Sequence, residues 1–195
     1  MRIGIDVDGV LAAFEQGFAP LLTAQTGVVF PRLGQADWPD TWNWGLAHGI
    51  SEGEVGRAWN TLKTNPVFWA ALPPYADTEF ALCQLYSRQV FHDDEIYFIT
   101  NRMGVRVKSQ TETWLDRYGF PHPTVLISGH KGLCAQALHL HTYIDYKPEN
   151  CLQVSTMSKT RVFLMDRPWN QAFNNMLQGI PRVKSLPEMF QLYTL

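Results

Sequence analysis

Five short apolar runs punctuate the chain, and each gives way to polar residues at its C-terminal end. The first is Ile3, Ile5 and Val7 within Arg2–Val10, where alternate residues share one face and the run passes into a loop. The others are Glu95–Ile99, Thr124–Ile127, Thr142–Ile144 and Arg161–Met165. Helical periodicity fills the intervals. A helix is expected from Asp77 to about Gln89, with Asp77 or Thr78 as its cap. Others are expected from Val105 to Tyr118, closed by Gly119, and from Lys131 to about Leu140. A short one should run from Glu149 to Ser155, and a last one at Leu186–Phe190 has Pro187 in its first turn. Strand–helix alternation of this kind predicts a parallel sheet with helices on both faces, a three-layer Rossmann-like α/β domain.

The stretch from Phe14 to Pro74 breaks the pattern. Five of the seven tryptophans (Trp38, Trp42, Trp44, Trp59 and Trp69) fall there, among scattered glycines and prolines. Ser51-Glu52-Gly53-Glu54 has the form of a helix start leading into Val55, Ala58, Trp59 and Leu62. The segment is expected to be a small, mostly helical cap over residues 15–74, with Leu72-Pro73-Pro74-Tyr75 as the return hinge. The α/β core then comprises residues 1–14 and 75–195.

Composition narrows the function classes. A chain of 195 residues is long enough to bury a core without staples. Its formal net charge of -2 argues against sequence-independent binding to a nucleic acid polymer. Cys83, Cys134 and Cys151 form no CxxC pair, and an odd count argues against a disulfide framework, so they are expected to be small apolar fillers. Asp6 and Asp8 interrupt what would otherwise be an apolar leader, and no run approaches the ~18 apolar residues of a membrane span. A reduced, cytoplasmic protein with no membrane association is the expectation.

The candidate chemistry sits where the apolar runs end. Asp6 with Asp8, Thr100 with Asn101, Lys131 just beyond Ser128, and Asp145 all occupy predicted C-terminal strand ends. In a parallel sheet those ends converge on one edge. Converging carboxylates need a cation, and hard oxygen ligands suit Mg²⁺. A lysine and a hydroxyl beside them suit a phosphate. The residues by themselves therefore point to Mg²⁺-assisted phosphoryl chemistry.

The same residues carry a resemblance. Asp6-Val7-Asp8-Gly9-Val10 resembles the first motif of the haloacid dehalogenase superfamily of phosphohydrolases. Ile99-Thr100-Asn101-Arg102 resembles its second, Lys131 fits the third-motif lysine, and Tyr143-Ile144-Asp145 fits the fourth. The phrases Asp6–Glu15 and Ile144–Asn150 resemble the deoxyribonucleotidase branch. The resemblance implies a nucleophilic Asp6 that forms an aspartyl-phosphate, and an Asp8 that protonates the leaving oxygen and then activates water. It implies Mg²⁺ held by the Asp6 carboxylate, the Asp8 carbonyl and Asp145, and phosphate held by Thr100, Asn101 and Lys131. The implied substrate is a small phosphomonoester, a nucleoside monophosphate or another phosphorylated metabolite, and the implied assembly a monomer or homodimer. A catalytically weak nucleotide-binding protein on the same fold is the non-enzymatic alternative.

One position departs from the pattern. Relatives commonly carry a second acid after the fourth-motif aspartate, where this chain has Tyr146; Glu149 is a candidate replacement. Phe14, Phe18, Trp44 and Arg102 are candidate substrate contacts, the aromatics by stacking on a base. Lys108 competes with Lys131 for the phosphate-binding role. Arg102, Arg106 and Lys108 are either a solvated helix face or a steering patch for an anion. His139 and His141 lack further ligands nearby in sequence and are expected at a surface or helix end.

Overall fold

The computed structural model describes residues 1–30, 43–173 and 179–193. Six strands form one all-parallel sheet: β1 (Arg2–Ile5), β2 (Glu95–Thr100), β3 (Thr124–Ile127), β4 (Thr142–Asp145), β5 (Arg161–Met165) and β6 (Arg182–Val183). Their order is β3-β2-β1-β4-β5-β6, so the first-made strand is central. Strand order reverses on either side of β1, which places a crevice at its C-terminal end.

Alternate strand residues feed two cores. Ile3, Ile5, Phe98, Ile144 and Phe163 point into one, with α4 (Thr78–His92), α5 (Val107–Arg117) and α8 (Leu186–Tyr193) supplying Leu82, Leu85, Trp114 and Met189. Ile99, Tyr143, Val162 and Leu164 point into the other, covered by α6 (Lys131–Ala137) and α7 (Pro148–Met157) through Ala135, Cys151 and Val154. The three-layer architecture follows from this alternation. Gly4 lies in β1 where a β-carbon would stand 2.5 Å from Leu140 Cδ1 and 2.8 Å from Tyr143 Cδ2, so the second core closes over a bare backbone.

The segment between β1 and α4 contains α1 (Phe14–Thr26), α2 (Trp44–Ala47), α3 (Glu52–Thr64) and a 3₁₀ turn at Trp69–Ala71. The capping box expected from Ser51 and Glu54 starts α3, with the Ser51 N–H donating to Glu54 at 2.9 Å. The two ends of the segment run side by side: Ala13 N donates to Pro73 O and Tyr75 N to Leu11 O, both at 2.9 Å. Side-chain donors fasten its far end to α5, with Trp114 Nε1 on Leu72 O at 2.8 Å and Gln110 Oε1 accepting from Trp69 N at 2.9 Å.

Some elements differ from the sequence expectation, among them α4, which runs on to His92, and α5, which starts at Val107. The helix at Lys131 stops at Ala137, three residues early, because His139 takes a left-handed φ of 48°. Pro148 is the first residue of α7, since its fixed φ suits that position. Strand β6 escaped notice because two residues carry no periodicity. Among the described residues, no helix is long and apolar enough to cross a membrane.

Candidate active site

The loop after β1 is built around a tight turn. Leu11 N and Ala12 N both donate to Val7 O at 2.8 Å, and Gly9 makes the turn with φ +70°. Arg167, from the loop after β5, closes the turn from outside through Nε on Gly9 O at 2.7 Å. The turn brings Asp6 and Asp8 to the C-terminal edge of the sheet. Thr100 ends β2, Asp145 ends β4, and Lys131 opens α6.

Asp6, Lys131 and Asp145 form a buried group. Lys131 Nζ lies 2.8 Å from Asp6 Oδ1 and also donates to Ile99 O, with its side chain 1% exposed. Asp145 is fully buried. Its Oδ2 accepts from Tyr143 Oη at 2.7 Å and Asn150 Nδ2 at 3.0 Å, and its Oδ1 accepts from Lys147 N at 2.8 Å. Two donors fill the lone pairs of Oδ2, so Oδ1 keeps one for a further partner.

One ammonium does not balance this site. Burial, and next the Asp145 charge, push the Asp6 carboxyl up to about 8 against the pull of Lys131, with Asp8 adding to the rise. Burial likewise raises Asp145, opposed first by Lys131 and then by the bonds from Tyr143, Lys147 and Asn150. Burial, followed by the charge of Asp6, lifts the Tyr146 phenol well above its ordinary value.

Asp8 is held differently. Arg102 Nη2 donates to its Oδ1 at 2.8 Å and Arg102 Nε to its Oδ2 at 2.9 Å, while Thr100 Oγ1 approaches Oδ2 at 3.1 Å. The Arg102 side chain is buried, and its guanidinium lies over the Trp69 ring at 4.8 Å.

A cavity of about 180 Å³ opens on this edge. Asp6, Asp8, Thr100, Asn101 and Lys131 line its floor, with Tyr146, Lys147 and Asn150 beside them. Phe14, Trp59, Trp69 and Met103 make an apolar wall. Phe14 is the centre of that wall, stacked on Trp59 at 5.5 Å and on Trp69 at 5.7 Å. Asn101 reaches the cavity beside Gly129, where a β-carbon would stand 3.2 Å from its Nδ2.

The structure thus brings Asp6, Asp8, Thr100, Asn101, Lys131 and Asp145 to one edge, and puts Phe14 on the cavity wall. Phe18 lies one layer behind, stacked on Phe14 at 5.2 Å. The Trp44 side chain lies outside the described residues, as do Trp38 and Trp42. Arg102 is turned to Asp8, with Arg106 and Lys108 exposed and Lys108 paired with Glu112. Glu149 is exposed and absent from the cavity wall; Asn150, one residue on, is the α7 side chain that reaches Asp145. His141 accepts from Arg2 N at 2.9 Å, at the opposite edge of the sheet. Cys151 is a buried filler as expected, but Cys83 is exposed. Asn150, Arg167, Trp59 and Trp69 are the site neighbours the sequence reading missed.

No family model and no curated protein matches the sequence. Solved structures do match. A haloacid dehalogenase-like hydrolase from Streptococcus pneumoniae aligns with a TM-score of 0.62 at 15% identity, covering 98% of this chain and 97% of the other. The chain has the haloacid dehalogenase-like fold. A β-phosphoglucomutase-like protein from Thermotoga maritima aligns with a TM-score of 0.56 at 12% identity over 99% and 98% of the two chains. A haloacid dehalogenase-type hydrolase from Bacillus subtilis, described as bound to magnesium, gives 0.57 at 12% over 100% and 98%.

Proposed function

We propose that this chain is a Mg²⁺-dependent phosphomonoesterase of the haloacid dehalogenase superfamily acting on a nucleoside monophosphate, with a deoxynucleotide the favoured form. The observation that carries the reading is the buried Asp6 carboxylate, 2.8 Å from Lys131, on the floor of a cavity whose wall is the Phe14–Trp59–Trp69 stack. The fold it shares with hydrolases of that superfamily supports it.

The donor chemistry fits a divalent cation. Asp6 and Asp145 are both buried, burial raises the proton affinity of each and the Asp145 charge raises Asp6 further, which is the state of carboxylates short of positive charge. Among the described residues no group of three or more His, Cys, Asp or Glu side chains surrounds a metal position. The family resemblance implies that the carboxylates of Asp6 and Asp145 and the Asp8 main-chain carbonyl would hold the ion, a hard-oxygen set suited to Mg²⁺. The bound ion supplies charge neutralisation for the carboxylates and the phosphate oxygens.

The chain's own residues do the rest. Asp6 attacks phosphorus as the bond to the leaving oxygen breaks, and the leaving oxygen takes a proton from Asp8. Asp8 then takes a proton from the water that attacks the aspartyl-phosphate and frees phosphate. Asn101 and Lys131 hold the phosphate oxygens, while the Thr100 hydroxyl, expected there too, gives its one proton to Asp8 Oδ2, so the site is set up before substrate arrives. Residues 15–74 act as a cap whose aromatic wall receives the base and restricts the site to small substrates. We place the protein in the cytoplasm, acting on free nucleotides rather than on a polymer or at a membrane, as a monomer or homodimer.

The test is phosphate release from a panel of ribo- and deoxyribonucleoside monophosphates and sugar phosphates, with Mg²⁺, with EDTA, and with Asp6→Asn. Selective turnover of nucleotides that needs both Mg²⁺ and Asp6 is the expected result. Turnover of sugar phosphates alone would remove the nucleotide assignment, and activity in Asp6→Asn would remove the mechanism.

A further inference from the structure

We infer that Arg102 is the positioning residue for Asp8, fixing which of its two oxygens exchanges a proton with the substrate. The inference rests on the phosphomonoesterase reading.

The hydrogen bonds set the argument. Oδ2 of Asp8 accepts from Arg102 Nε at 2.9 Å and from Thr100 Oγ1 at 3.1 Å, which uses both of its lone pairs. Among the described residues Oδ1 accepts only from Arg102 Nη2, at 2.8 Å, which leaves one lone pair. The proton that passes to the leaving oxygen, and returns from water, is therefore carried on Oδ1. A fork-on-fork pair also fixes the plane of the carboxylate, which a single donor cannot do.

Arg102 is itself held on every side. Its Nη1 donates to Thr111 Oγ1 at 2.8 Å, and that hydroxyl donates to Val107 O at 2.7 Å within α5. The flat face of the guanidinium rests on the Trp69 ring. Trp69 in turn is fixed by Nε1 on Met103 O at 3.1 Å and by its backbone N–H on Gln110. The side chain has no solvent exposure, so it is not free to swing into the cavity as a substrate ligand. Its position next to Thr100 and Asn101 in sequence suggested a substrate contact; its geometry assigns it to Asp8 instead.

The reaction supplies a readout that a structural role would not move. A phosphomonoester with an alkyl leaving group must be protonated as it departs, whereas 4-nitrophenolate leaves well without a proton. Arg102→Ala and Arg102→Lys are expected to lower kcat/KM, which reports the steps up to leaving-group departure, by about 10²-fold or more for an alkyl phosphomonoester and by under about 10-fold for 4-nitrophenyl phosphate. Asp8→Asn should show the same split. The double variant Arg102→Ala/Asp8→Asn should be no slower than Asp8→Asn alone, because both act through one proton. Thr111→Val, which leaves all the Asp8 donors in place, should show the split in weaker form and guards against misfolding of the Arg102 variants.

Equal losses of kcat/KM on both substrates, or additive losses in the double variant, would overturn the assignment. The parent reading fails separately, when the wild-type protein releases phosphate from neither substrate.

Discussion

The ring of Tyr146 lies on Gly9 so closely that a β-carbon added to Gly9 would stand 2.4 Å from its Cδ1. Gly9 also sits at φ +70°, which side chains other than glycine rarely adopt. Both facts bear on the turn that carries Asp6 and Asp8. Gly9→Ala is expected to destabilise the fold by about 2 kcal/mol or more, from backbone strain and overpacking together. Adding Tyr146→Ala should restore part of that loss by removing the ring. Urea unfolding of the two single variants and the double variant measures both effects; strict additivity would show that the ring contact contributes nothing.

Metal binding should depend on pH through Asp6. Its carboxyl is raised from 3.8 to about 8, so ionising it costs stability, and the cost accrues as pH climbs from about 4 to about 8. A cation binds the ionised form and must displace that proton. The rise in melting temperature caused by Mg²⁺ is therefore expected to be larger at about pH 8.5 than at about pH 6, and absent in Asp6→Asn. A shift independent of pH would mean that the ion does not bind at Asp6.

Glu15 offers a second titration. It is buried with Tyr75 Oη donating to both carboxylate oxygens at 3.0 Å, and burial raises its carboxyl from 4.5 to about 7. Its pKa is higher folded than unfolded, so stability is full below about pH 4.5 and falls until about pH 7, by ~3 kcal/mol in all. Glu15→Gln should flatten that segment of the stability–pH curve. Denaturant melts across that range test it, and a slope unchanged by the substitution would refute the assignment.

The aromatic wall predicts a split between binding and turnover. Trp59→Ala should raise KM for nucleoside monophosphates by about 10-fold, the equivalent of one lost stacking contact, with kcat for a small phosphomonoester unchanged. Steady-state kinetics on a nucleotide and on a phosphomonoester without a base separate the two. Equal effects on both substrates would mean that the wall serves the fold alone.

Asn150 should matter to Mg²⁺ although it holds no charge. Its Nδ2 bond to Asp145 Oδ2 helps aim the other oxygen outward, and loss of such a partner typically costs about 10–100-fold in metal affinity. Asn150→Ala is expected to fall in that range by calorimetric Mg²⁺ titration, while Glu149→Ala should leave the affinity unchanged.

The parts of the fold and the site that could be read from the sequence are those with local causes. Short apolar runs marked β1, β2 and β5, and the polar residues at the strand ends marked Asp6, Thr100 and Asp145 as groups meeting on one edge. Ser51 and Glu54 announced α3 because a capping box is a contact between near neighbours. What stayed hidden depends on where a long side chain goes after the chain has folded. Arg102 and Asp8 are 94 residues apart, and Arg167 and Gly9 are 158 apart, so no local pattern links them. Glu149 and Asn150 differ by one step on a helix, about 100° of rotation, and that step decides which of them faces Asp145.

The placement of β1 has a consequence for how the protein comes into being. Strand β1 lies between two strands made after it, and Asp6 waits for Lys131, 125 residues later, and for Asp145 beyond it. Until Lys131 has been made the nascent chain holds Asp6 without its ammonium, and until β4 has been made it holds a strand with one bare flank. Contacts this distant along the chain are slow to form. During synthesis the candidate site therefore stays unassembled for a long interval and comes together only once residues as far along as Asp145 have been made.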